Sequence, residues 1–174
     1  MQSTEFWSIV GKCREDAELL VDFNTNLVLE LDALPVEEIA SFRLAWLAAS
    51  DGLYSWDVWD ASALMLNGTD DDSFMDFRSW AISLGRPDYD SIRADADNLA
   101  EYGRIVADAE SAEAEELSGI PERLYLARAG VSPPDPPDQS VLTKPFGKRT
   151  DLHDTEAVMA RFPRIHAWRS RAVR

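Results

Sequence analysis

The sequence predicts an all-α fold: a single multi-helix, bundle-like domain with a Pro-rich linker and a short basic C-terminal tail. Three observations carry this. Apolar residues recur at three- and four-residue steps over the first half of the chain. Glycine, proline and small polar residues fall where helices would start and stop. No alternating apolar pattern is long enough for a sheet. The implied units are a helical domain over 1–130, a linker over 131–140, and a basic extension over 141–174 expected to pack on the body.

The elements follow in order. Ser3 is placed to cap a first helix, whose apolar face holds Phe6, Ile9, Val10 and Cys13, broadened by Trp7. A second helix, from near Glu15 to Ala33, carries the stripe Leu20, Phe23, Leu27, Leu31, with Leu34 beyond. Pro35 suits the first position of a third helix, and Glu37 and Glu38 favour its positive start. Ile39, Phe42, Trp46 and Ala49 form its inner face, and Gly52 is expected to end it in the left-handed conformation.

Ser55 should cap a fourth helix, Trp56–Leu66, which is apolar nearly all round and therefore central. Asn67-Gly68 stops it, and Asp70 or Asp71 caps a fifth with Phe74, Phe77, Trp80, Ala81 and Leu84 inward. Gly85 ends that helix, and Pro87 is expected to prevent a restart in register. Beyond, Asp88–Ala94 reads as a short helix and Asp97 as a capped start. The Ala/Glu-rich run from Ile105 to Leu117 reads as surface helix, and Pro121 opens a last body helix. Residues 132–138 read as an extended linker, and 141–146 as extended chain across the body. A short helix is expected from near Asp151 to before Pro163, then a basic end with Ile165 and Trp168 interleaved.

Charge is divided unevenly. Residues 1–143 hold 9 Lys and Arg against 29 Asp and Glu, whereas 144–174 hold 8 basic and 3 acidic groups. Such a body repels nucleic acid and anionic membrane and attracts a basic partner. Nucleic acid is left only the basic tail, which is more simply read as lying on the acidic body. No apolar run approaches the roughly 18 residues that cross a bilayer. A secretory signal is not evident at the N-terminus, and a single cysteine, Cys13, excludes an internal disulfide, so a cytoplasmic protein is expected.

The densest chemistry lies between Trp56 and Arg86. Asp57 and Asp60 are three apart, on one face of a helix apolar elsewhere. Asp57 sits in the first turn, where the helix dipole favours it, whereas Asp60 is deeper and needs a partner, with Arg78 or Arg86 the natural choices. One reading is a structural ion pair that locks the hairpin. The other is a pocket in which Asp57, Asp60, Asp76, Arg78 and Arg86 bind or transform a ligand. Asp70-Asp71-Asp72 matches no Ca²⁺ loop, because Gly68 precedes the acids and no glutamate follows at the right spacing. His153 and His166 both fall in the tail, no nucleophile elbow or phosphate loop is present, and neither cofactor nor metal is expected.

The motifs Glu5-Phe6-Trp7, Leu34-Pro35-Val-Glu-Glu-Ile39 and Tyr54-x-Trp56-Asp57-x-Trp59-Asp60-Ala61 share one resemblance. It continues through Asn67-Gly68-x-Asp70-Asp71, Phe74-x-Asp76-Phe77-Arg78-x-Trp80 and Gly85-Arg86 to Tyr89 and Asp95-x-Asp97-x-Leu99. Together these resemble DUF4240, a bacterial family of uncharacterised domains common in actinobacteria. The resemblance implies no activity, catalytic residue or cofactor. Ala96 stands where it implies a proline before the aspartate, which loosens that turn.

Two functions are consistent with these residues. The first is a small acidic regulatory or antitoxin-like module that binds a basic protein. The second is an enzyme or small-ligand binder with a carboxylate and arginine pocket on the 56–86 hairpin, which has no histidine to carry protons.

Overall fold

A computed structural model describes residues 1–136 and 144–172. Among these, ten α-helices and two 3-10 segments form the chain, with one isolated parallel bridge between Ser55 and Phe146. The helices are α1 (Ser3–Glu15), α2 (Leu20–Asp32), α3 (Val36–Gly52), α4 (Trp56–Leu66), α5 (Asp71–Ser83) and α6 (Arg86–Ala94). The 3-10 segments Ala96–Tyr102 and Val106–Glu110 follow. Then come α7 (Ala112–Leu117), α8 (Ile120–Ala129), α9 (Thr155–Arg161) and α10 (Pro163–Ala172). The all-α class is the one the periodicity predicts. Residues 137–140 of the proline-rich linker and 141–143 of the following stretch lie outside the described residues.

Local chemistry explains the boundaries and several departures from expectation. Gln2, rather than Ser3, caps α1, and α2 starts at Leu20, not Glu15, with Asp22 accepting from the Leu19 amide. Gly52 is not left-handed. The helix runs through it, and a Cβ there would overlap the Tyr89 hydroxyl, so it is small for packing rather than for turning. Ser55 Oγ accepts the Val58 amide at 3.2 Å and Asn67 closes α4 at φ 61°. Asp70 caps α5 through the Ser73 amide at 2.9 Å. Gly85 at φ 98° turns the chain, so α6 starts as a new helix at Arg86, a little before the expected Asp88, and Pro87 takes its first turn, where its missing N–H is harmless.

The core runs through two aromatic groups. Phe6, Phe42 and Trp46 join α1 to α3, with Trp7 against Tyr89 of α6. Trp59, Phe74, Phe77 and Trp80 join α4 to α5 at centroid separations of 4.4 to 6.2 Å, and Tyr102 meets Trp80 edge-on. The run Ile105–Leu117 is not one surface helix. It breaks at Ser111, and Val106, Ala109, Ala114 and Leu117 are buried in the core. The small side chains let this segment lie close to its neighbours, which propensity alone does not reveal.

The end of the chain folds as two helices, where only one was expected. Asp154 caps α9 and Pro163 opens α10. Val158, Phe162 and Ile165 are all buried. This places α10 beside the Ala96–Tyr102 segment and α4, the surfaces that surround the predicted site.

Candidate functional site

The hairpin of α4 and α5 does not pair its acids with its arginines: each takes a different partner. Asp57, in the first turn of α4, receives the guanidinium of Arg161 from α9. Asp60, the next acid on that face, is fully buried. Its Oδ2 accepts the Thr150 amide at 2.6 Å, and Arg149 Nε lies 3.6 Å from Oδ1. The Arg149 guanidinium also covers the Trp56 ring at 4.7 Å. Burial pushes the Asp60 carboxyl above the ordinary carboxylate range, and the Thr150 amide and Arg149 pull it back only in part.

The expected pairing of Asp60 with Arg78 or Arg86 is therefore corrected. Arg78 instead reaches the end of α3, where its Nη1 donates to the Ser50 carbonyl at 3.2 Å. Its guanidinium lies over Tyr54 and Phe74, at 4.9 and 5.2 Å. Burial depresses its pKa, opposed by nearby Asp51. Arg86 opens α6 and meets Asp90 one turn on, at 3.4 Å and half-exposed, an arrangement worth at most about a few tenths of a kcal/mol.

Asp76 stands apart from the other four. It is half-buried on α5, and its pKa is raised by burial and then by Glu115, Asp72 and Asp70. Glu115 belongs to α7, packed against α5, so this is a face where like charges crowd. None of Asp70, Asp71, Asp72, Asp76 or Glu115 is in a salt bridge among the described residues. Met75, 44% exposed, sits one turn from Asp71 and Asp72 on the same surface.

Among the described residues, neither of two clefts near α4 gathers the five candidates. A cleft of about 600 Å³ opens at the end of α4, lined by Leu64, Asn67, Arg149, His153 and Arg169 among others. A narrower one of about 170 Å³ takes in Asp57 with Arg161 and Arg93. Among the described residues no three His, Cys, Asp or Glu side chains are placed to hold a metal ion together. No described helix is long and apolar enough to cross a membrane.

Sequence reasoning missed two further polar residues at the site. Asp97, buried in the Ala96–Tyr102 segment, accepts the amides of Arg164 and Ile165, each at 2.9 Å, and so caps α10 from outside the helix. Arg149 was hidden because its partner is distant in sequence. Asp97 carried one visible signal, its position two residues after Asp95, whose carboxylate accepts the Asp97 amide and holds the turn in place without the proline.

Curated proteins and solved structures offer no significant match to this chain. A family model described as a protein of unknown function, DUF4240, covers residues 1–127, and the chain belongs to that family.

Proposed function

We propose that this protein is an acidic binding and regulatory module of the cytoplasm that engages a basic protein partner through the outer face of α5 and α7. The observation that carries the reading is the crowding of Asp70, Asp71, Asp72, Asp76 and Glu115 without ion-pair partners among the described residues. Asp70 caps α5 and Asp71 and Asp72 sit in its first turn, but Asp76 and Glu115 have no such local role, and their mutual repulsion adds to the burial that raises Asp76. A basic partner relieves that repulsion and is steered to the face at long range. Met75 adds a flexible apolar contact among the acids, a side chain suited to adaptable surfaces.

The pocket reading draws less support. Asp57 and Asp60 are engaged by residues of the C-terminal segment, Arg86 by Asp90, and Arg78 by a carbonyl and two rings. Catalysis by this set requires carboxylates that converge on a shared space, and these five do not.

Capture from native lysate tests the proposal, using the intact chain, a double variant with Asp72→Lys and Glu115→Lys, and a control with Glu37→Lys and Glu38→Lys on α3. The proposal expects a defined partner that elutes as ionic strength rises, is lost by the first variant and kept by the control. Capture indifferent to salt, or unchanged by the Asp72→Lys and Glu115→Lys pair, overturns it.

A further inference from the structure

Two buried carboxylates in the family-matched region take their hydrogen-bond donors from outside it, Asp60 through Oδ2 alone and Asp97 through both oxygens. Asp60 and Asp97 both lie within residues 1–127, exposed by 0% and 3%. Their donors are backbone amides of Thr150, Arg164 and Ile165, all in the C-terminal segment. A buried carboxylate without donors costs several kcal/mol. The face formed by α4 and the Ala96–Tyr102 segment thus carries fixed acceptors for a chain that the matched region does not itself provide.

The way that chain is held has the features of peptide recognition. It enters extended: Trp56 donates to the Phe146 carbonyl at 2.9 Å, and the Phe146 amide donates to the Tyr54 carbonyl at 3.1 Å. These two bonds form an isolated parallel bridge that fixes the lead-in to the turn between α3 and α4. It then turns helical, and Asp97 supplies the N-cap that α10 lacks within its own sequence. Apolar anchors sit at Phe162 and Ile165. Charge complements them, with Arg161 on Asp57 and Arg164 on Asn98 and Glu101. Trp168 lies against Gly103, where a Cβ would strike the indole.

We infer that the face of α4 and the Ala96–Tyr102 segment is a peptide-binding groove, that residues 144–172 are its tethered ligand, and that the groove accepts in trans a basic segment of the same layout. That layout is an extended lead-in, a short helix that buries Val158, then two apolar anchors three residues apart at the start of a second helix, with arginines flanking them. The groove is separate from the α5 face, since none of these polar contacts involves α5. A partner that reaches it displaces the protein's own segment, so the groove is self-occupied until a competitor arrives.

The test uses the full chain with a protease recognition sequence inserted between Pro136 and Lys144, cut after folding. A fluorescent peptide of residues 144–172 is then added, and exchange is followed by anisotropy and native size exclusion. The groove predicts that the cut segment stays associated, that labelled peptide exchanges saturably, and that the body keeps its helicity throughout. Peptide carrying Phe162→Ala and Ile165→Ala competes about tenfold or more weakly, as loss of central apolar anchors entails. A scrambled peptide of equal charge does not compete. Exchange only when the body unfolds, or equal competition by the scrambled peptide, overturns the inference. The Asp72→Lys and Glu115→Lys pair leaves exchange intact, so failure of the α5 reading and failure of the groove are read separately.

Discussion

Thr150 and Asp60 are joined by a 2.6 Å hydrogen bond across 90 residues of sequence, backbone amide to fully buried carboxylate. The bond explains how a carboxylate is tolerated in the middle of a helix packed on nearly every side. It also makes the C-terminal segment part of the environment of α4. Replacing Asp60 by Ala leaves the Thr150 amide without an acceptor and should lower stability by about 1–3 kcal/mol. Asp60→Asn keeps an acceptor and removes the buried charge, so its cost should be smaller. Urea denaturation of the three proteins compares them directly.

Stability should rise as pH falls moderately below neutral. Burial raises the carboxyls of Asp51, Asp60 and Asp76 in the folded protein, so that state binds more protons than the unfolded chain between the ordinary carboxylate range and the raised values. Folding therefore strengthens as pH drops through that window. Asp70 acts oppositely: held low by the Ser73 hydroxyl and then the Ser73 amide, its contribution disappears as pH falls through its lowered pKa. Denaturation midpoints measured from pH 7 downward should pass through a maximum, and Asp76→Asn should flatten the rise.

Cys13 should resist thiol reagents in the folded protein. It is buried on α1, and burial pushes its pKa up to about 12. Only the thiolate reacts, so modification at about pH 8 should be slow and should accelerate in denaturant. A chromogenic disulfide reagent measures both rates. Fast labelling of the native chain would show that α1 opens locally.

Gly52 and Gly103 are required for close approach. Gly52→Ala drives a methyl into the Tyr89 hydroxyl, which donates to the Ala49 carbonyl at 2.8 Å. The loss should be about 1–3 kcal/mol by urea denaturation. Gly103→Ala should instead displace Trp168, changing tryptophan fluorescence with a smaller effect on the global midpoint.

The helices were legible because their causes are local. The stripe Phe74, Phe77, Trp80 sets the buried face of α5, and the caps Ser55 and Asp70 operate within three residues. The site was less legible because its causes are distant. Asp60 announces a need for a partner but not that Thr150 and Arg149 meet it. Arg78, three residues beyond Met75, resembles an ion-pair donor until tertiary packing turns it to Ser50 and two aromatic rings. Asp76 was visible as an acid, but its crowding depends on α7 folding back beside α5.

The central claim is that the acidic face of α5 and α7 is a binding surface. Affinity for the captured partner, measured by titration calorimetry over a series of salt concentrations, tests it most directly. The dissociation constant should weaken steadily with salt, with a shallower slope for the Asp72→Lys and Glu115→Lys pair. An affinity independent of salt and equal in both proteins would contradict it.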